Sequence, residues 1–324
     1  MSTEHERAEA DYQRARRRAL FHEIRARLAG RANRLLSFEE VKQSLRLGGP
    51  VYRGARPVPV AQIVGSVDRY RDFDREFLPA QRHTAQKWKN IARAFYRDVD
   101  LPPVKLYKVG DAYFVLDGHH RVSVAREQGM AYIDAEVQEA YSRVPVTADL
   151  QAEDLKVLHE YREFLERTRL DEIRPQQKVL RLTIAGGYAQ LIEHIAVHRY
   201  FMGLDLQRDV SDEEAVGHWY DTVYTPIVEA IRRHNMLASF PKRTEADLYL
   251  WIVDHLYFLR ESGDGVEVDA AVEDFADQFS ERRMQKLVRE VQRTLEMLDQ
   301  GEREAQRLES PGEDQQTEAG DDAT

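Results

Sequence analysis

The chain has no cysteine. That absence excludes disulfides, cysteine-ligated zinc and a cysteine nucleophile. It also has no apolar run near the roughly 18 residues that a membrane span requires. Its first residues, "MSTEHERAEADYQRARRR", contain no apolar stretch of the signal-peptide kind, so no secretory signal and a cytoplasmic location are expected. There is no internal repeat. Gly186-Gly187 is not followed by Lys-Ser/Thr, which excludes a P-loop there. Charge is plentiful: Asp, Glu, Lys and Arg make up 32% of 324 residues, and mean hydropathy is -0.61, as in a soluble and rather helical protein. The 42% of hydrophobic residues suffices for at least one full core, and the length suggests about two domains.

Net charge is -10 but unevenly spread. Residues 1–50 carry eleven Lys/Arg against seven Asp/Glu, while residues 301–324 carry two Arg against eight Asp/Glu. The basic start is able to meet nucleic acid, an anionic lipid surface or an acidic partner, or simply to form a solvated helix face. The acidic end, "ESPGEDQQTEAGDDAT", lacks hydrophobic periodicity and is expected to be disordered.

From Glu9 to Leu47 the pattern is helical, with Leu20, Ile24, Leu28, Leu35 and Leu36 as the apolar stripe. Ser37 with Glu40 reads as a capping box that restarts a second helix, stopped by "GGP" at 48–50. "RPVPVAQIVGS" reads as a short strand ending in a Gly-Ser turn. "TAQKWKNIARAFYRD" places Trp88, Ile91, Ala92 and Phe95 on one helical face. "LPPVKLYKVGDAYFVLDG" reads as a hairpin: strand 103–108, a Gly110-Asp111 turn, and strand 112–116. A helix over 120–129 closes on Gly129, and "AYIDAEVQEA" adds a strand. This β-α-β-β-α-β order over 55–140 predicts a compact α+β unit, and the chain from 148 onward is almost entirely helical. Domains are expected at 1–50 (helical arm), 51–145 (α+β), 146–300 (all-α) and 301–324 (tail).

Asp117, Gly118, His119, His120 and Arg121 fall at the joint between a strand and a helix. Backbone N–H groups at a helix start lack intrahelical acceptors, and the macrodipole adds positive potential there. Gly118 lets an anion approach closely, and His119, His120 and Arg121 add donors, Arg with a two-pronged grip. Asp117 repels a phosphate unless it binds a metal, takes a proton or orients a histidine, which points to chemistry or Mg²⁺. The plain alternative is a tight turn at Asp117-Gly118 with His119 capping the helix.

"VPVAQIVGS" followed by "LPPVKLYKVGDAYFVLDGHHRVSVAREQGMAYIDAEV" resembles the ParB/sulfiredoxin superfamily, at Pro103, Val104, Tyr113, Gly118, Arg121 and Ala125. The Asp-Gly-His-His-Arg form looks more like the free-serine kinases and ParB-like proteins built on this fold than like partitioning ParB, which carries Gly-Glu-Arg-Arg there. The resemblance implies an α+β ParB/sulfiredoxin-like domain followed by an all-α domain. It implies a nucleotide (ATP, ADP or CTP) held through its phosphates by Gly118, His119, His120, Arg121 and Ser123. In the kinase-like reading Asp117 helps hold Mg²⁺, Asp117, His119 and His120 are catalytic, and Arg121 stabilises the transferring group. "SVDRYRDFDREF" then supplies the base from among Asp68, Asp72, Asp74 and Glu76, with Arg69, Arg71 and Arg75 contacting phosphate or pairing with those acids. The missing cysteine excludes sulfiredoxin activity. No helix-turn-helix of the DNA-segregating kind follows residue 145.

In the helical half, His194 and His198 lie four apart on one face, a metal pair if completed by Glu193, His218 or Asp221, and otherwise a packing pair. Ser211 with Glu214 reads as a capping box before "SDEEAVGHWYDTVYTPIVEAIRRHNML", and Thr244 with Asp247 as another. Leu248, Trp251, Ile252, His255 and Leu259 form a core or a partner groove. Met284, Leu287, Val291, Leu295 and Leu298 make a stripe on 281–307. "EHIAVHRYF" and "TEADLYLWI" resemble an uncharacterised bacterial domain found beside ParB-like segments. The leading functional expectation is a nucleotide-regulated switch acting on a protein partner or a homo-oligomer. Magnesium-dependent small-molecule phosphotransfer comes second. A DNA-binding regulator or nuclease using Arg14–Arg18 comes third.

Overall fold

The computed structural model describes residues 2–28, 33–176 and 179–261. Two compact units divide at Trp219/Tyr220. The first begins with α1 (Ser2–Leu28), β1 (Leu36–Ser37) and α2 (Phe38–Leu45). The Ser37 hydroxyl accepts from the Glu40 N–H at 3.4 Å, so the predicted cap starts α2. After β2 (Val51–Pro59) a single 3₁₀ turn leads into β3 (Ile63–Ser66). The segment read as one short strand is therefore the end of one strand and the whole of another. Residues 51–55 went unread as strand because they lie mostly exposed and show no alternation: β2 is an edge strand paired only with β6.

The chain continues through α3 (Ala85–Tyr96), β4 (Val104–Val109), β5 (Ala112–Asp117), α4 (His119–Glu127) and β6 (Tyr132–Glu139). The sheet order is β1-β3-β5-β4-β6-β2. β4 and β5 form the predicted hairpin, Val109 opposite Ala112, with Gly110 at φ +57° making the reversal. β3 runs parallel to β5, and β4 parallel to β6. Gly129 at φ +68° ends α4, with the Met130 N–H on the Ala125 carbonyl, as a Schellman-type stop requires.

Val58, Ile63, Val104, Leu106, Val115, Val122 and Val137 form the sheet core with Phe73 and Phe77. A second cluster joins α1, α3 and α4 through Ala8, Tyr12, Ala15, Ala19, Trp88, Ala92 and Val124. This corrects the stripe expected on α1: Leu20, Ile24 and Leu28 are exposed, the last at 85%, and small residues make the buried face. Close helix packing selects alanine over leucine there.

The helical continuation, α5 (Leu155–Thr168), α6 (Leu170–Ile173), α7 (Gly187–Leu206) and α8 (Asp212–Trp219), belongs to the same compact unit. The Asp111 N–H bonds the Val146 carbonyl, and buried Arg162 of α5 donates to the Ser44 carbonyl of α2. The second unit, as far as described, holds a π-type turn (Tyr220–Tyr224), α9 (Thr225–Arg233) and α10 (Glu245–Glu261). Thr244 and Asp247 exchange side-chain-to-backbone bonds of 3.2 and 2.9 Å, the predicted capping box. Tyr224 packs on Tyr249, while Leu248 and Ile252 are buried. The 284–298 stripe, the 301–324 tail and the Leu259 side chain lie outside the described residues. Among the described residues no helix is long and apolar enough to cross a membrane.

Candidate functional site

The end of β5 and the start of α4 are joined by Gly118 alone. Its φ of +97° is strained for any side-chain-bearing residue, and a Cβ there would lie 2.6 Å from Val104 Cγ1 and 2.9 Å from Arg121 Nη2. Glycine is thus already required by the fold. The first-turn N–H groups of α4 have no intrahelical acceptor, and no side chain at the cap position supplies one.

Arg121 turns back rather than outward. Its guanidinium bonds the carbonyls of Pro102 and Pro103 and pairs with Asp117 at 2.9 Å, leaving the side chain 11% exposed. It clamps the approach to β4 onto the α4 turn through Nη1 and Nη2. Asp117, 67% exposed, is the clamp's outer partner. Among the described residues no group of three or more His, Cys, Asp or Glu is placed to hold a metal ion. A magnesium ion on Asp117 would have no preformed protein cage. Ser123 is fully buried and accepts from the Trp88 indole N–H at 2.9 Å, which ties α4 to α3 and faces the core.

The two histidine side chains are buried, 5% and 3% exposed. His119 Nε2 lies 2.8 Å from Ser66 Oγ on β3 and 3.6 Å from Asp68 Oδ1. His120 Nε2 lies 3.4 Å from Arg69 Nη1. Phe73 stacks on His119 and meets His120 edge-on. Burial pushes both imidazoles down to about 4; Asp68 opposes this at His119, and the Arg69 and Lys87 charges reinforce it at His120. Both rings are neutral at pH 7 and act as hydrogen-bonding groups, not as cations.

Of the four acids considered as a base, Asp68 is the one that pairs with a histidine of the motif, His119. Asp72 holds Arg69 at 2.6 Å. Asp74 is buried in its own loop, accepting from the N–H groups of Glu76 and Leu78, with His22 at 3.2 Å. Glu76 pairs with Arg126 at 3.4 Å. Reading the sequence missed Ser66, taken as part of a turn. Its position follows from the parallel β3–β5 pairing, Ser66 opposite Val115, for which no local signal exists.

Other candidates separate from this site. Arg14 and Arg18 pair with Glu127, and Arg16 bonds the carbonyls of Pro79 and Ala80. The helix proposed to contact DNA spends these charges on its own fold. His198 meets His218 across α7 and α8, Nε2 to Nδ1 2.8 Å. The largest cleft described, about 890 Å³, lies between α5, α7 and α8. Arg199 there is paired with Asp212, and Arg208 with Glu214, so its size exceeds its chemical definition. The histidine turn carries the denser set of convergent polar groups and is the better candidate.

The chain matches a family described as a domain of unknown function (DUF4032) over residues 188–279, under half of its length. No curated protein matches it. A solved structure described as the C2221 form of a Pnob8-like ParB-N domain is similar at 8% identity, covering 74% of this chain and 99% of that chain, with a TM-score of 0.19. A likeness at that level carries no argument about fold or function.

Proposed function

We propose that the chain binds a nucleotide through its phosphates at the first turn of α4, and that binding acts as a switch on a protein partner or on self-assembly. The observation that carries this reading is a helix start with no side-chain cap whose first two residues bear buried, neutral imidazoles. Free N–H groups, the helix dipole and neutral imidazole donors all favour an anionic oxygen. The Asp-Gly-His-His-Arg resemblance points the same way. Lys87, exposed and without a partner among the described residues, supplies positive charge near His120. Magnesium comes with the nucleotide in this reading, against the exposed carboxylates of Asp117 and Asp68.

Phosphotransfer to a small molecule is the second reading. It is favoured by the exposed Asp68 carboxylate and the Ser66 hydroxyl, which converge on one nitrogen, His119 Nε2, at 3.6 and 2.8 Å, and so place a carboxylate able to act as a base beside the turn.

The test is a thermal-shift panel of ATP, ADP, CTP, GTP and UTP, each with Mg²⁺, on wild type and on Lys87→Glu. Ligand that binds the native state raises its melting temperature by mass action. A rise with one nucleotide, reduced in Lys87→Glu, is expected. No rise with any of the five contradicts the proposal. Consumption of the nucleotide only when a hydroxyl acceptor is added would favour phosphotransfer over the switch.

A further inference from the structure

The two adjacent histidines differ in what remains unsatisfied. His119 Nε2 has Ser66 Oγ at 2.8 Å. His120 Nε2 faces the Arg69 guanidinium at 3.4 Å. A guanidinium has only donors, so the nitrogen facing it must carry the lone pair. The ring is neutral, and its one proton therefore resides on Nδ1. That Nδ1 is buried and has no hydrogen-bond partner among the described residues. The unsatisfied group is a donor, so what completes it is an acceptor.

Arg69 is itself fixed. Its Nε and Nη2 reach Asp72 Oδ2 at 2.7 and 2.6 Å, and its backbone N–H donates to Ser66 Oγ at 2.9 Å. Phe73 lies edge-to-face with the His120 ring at 5.3 Å, filling the space beside it. A ring flip would put the Cε1–H carbon in place of Nε2 and leave the guanidinium without that acceptor. The row Asp72, Arg69, His120 thus selects one tautomer and one ring orientation, a means of presetting a buried histidine.

We infer that Asp72 and Arg69 are positioning residues that hold His120 as its Nδ1–H tautomer, and that this N–H is the donor that meets an anionic oxygen of the ligand, phosphoryl or carboxylate. The second half of this inference rests on the phosphate site proposed above; the first half does not. His119, bonded to Ser66, keeps its contact within the protein. Arg121, committed to Pro102, Pro103 and Asp117, holds the turn rather than the ligand.

The experiment uses the full chain with ¹⁵N-labelled histidine and long-range ¹H–¹⁵N spectra at pH 7. Without ligand, His120 should show a protonated Nδ1 and an unprotonated Nε2. Arg69→Ala should mix the two tautomers, whereas Arg69→Lys, still a donor, should preserve Nδ1–H. Inorganic phosphate, ADP, ATP and CTP, the nucleotides with Mg²⁺, are then titrated in. The one that binds should move the His120 Nδ1–H signal, and Arg69→Ala should weaken it about tenfold, as loss of an ordered charged or polar contact does. An Nε2–H tautomer in the free protein overturns the positioning role whether or not anything binds. A nucleotide that moves the backbone amides of His119–Arg121 but leaves His120 Nδ1–H untouched overturns the donor role. Binding of none of the four overturns the donor role together with the phosphate site, while the tautomer result decides the positioning role separately.

Discussion

Two neutral histidines of the first α4 turn make stability depend on pH in a definite window. His119 and His120 are held at about 4 in the folded state by burial, against an ordinary value of 6.5. Between these values the unfolded chain binds more protons than the folded one, so stability rises with pH and is lost as pH falls from 6.5 toward 4. At pH 5 an unfolded imidazole is almost fully protonated and a folded one only about one-tenth. Going from pH 7 to pH 5 therefore costs about 2 kcal/mol per histidine, or about 4 kcal/mol for both. Burial also lowers His198, which adds in the same direction. Asp74 opposes it: burial raises its folded value, so this carboxyl favours the folded state as pH falls. Urea unfolding of the full chain at pH 7, 6 and 5, followed by tryptophan fluorescence, measures the sum. His119→Asn and His120→Asn isolate the terms. Each variant should show a pH dependence smaller than wild type by about 2 kcal/mol across that range, whatever its absolute stability. Variants that lose stability with acid as steeply as wild type would refute the assignment of neutral, buried imidazoles.

Gly118→Ala should destabilise the fold by at least 1–3 kcal/mol, because it adds a positive-φ strain to two close contacts; urea unfolding reads it directly. Ser123→Ala leaves the buried Trp88 N–H without its acceptor and should cost about 1–3 kcal/mol, with a change in Trp88 fluorescence and no loss of ligand affinity. Arg121→Ala opens the clamp on Pro102 and Pro103 and should lower the melting temperature with or without nucleotide. Retained thermal stability in that variant would contradict the clamp. Thr244→Ala removes the cap of α10 and should cost about 0.5–2 kcal/mol, measured as local hydrogen-exchange protection in its first turn.

Where local chemistry decides structure, the sequence was legible. The Gly110-Asp111 reversal, the Gly129 stop and the caps at Ser37, Ser211 and Thr244 depend on residues within a few positions of one another. The first half of β2 was missed because its residues lie exposed on a sheet edge and bear no alternation. The face of α1 was misread because Ala8, Ala15 and Ala19 contribute little hydropathy although they pack closest. At the site the motif itself was visible, but its division of labour was not. That Arg121 folds inward depends on Pro102 and Pro103, nearly twenty residues away. That Ser66, Arg69 and Asp72 come to the histidines depends on the parallel pairing of β3 with β5, a contact between distant segments.

The central claim is that an anion is received at the start of α4. The most direct measurement is amide chemical-shift mapping of the ¹⁵N-labelled, deuterated full chain as Mg²⁺-nucleotide is added. The account predicts the largest shifts at the His119, His120 and Arg121 amides, with smaller ones at Arg69 and Lys87. Saturable binding that leaves those three amides unmoved would contradict it.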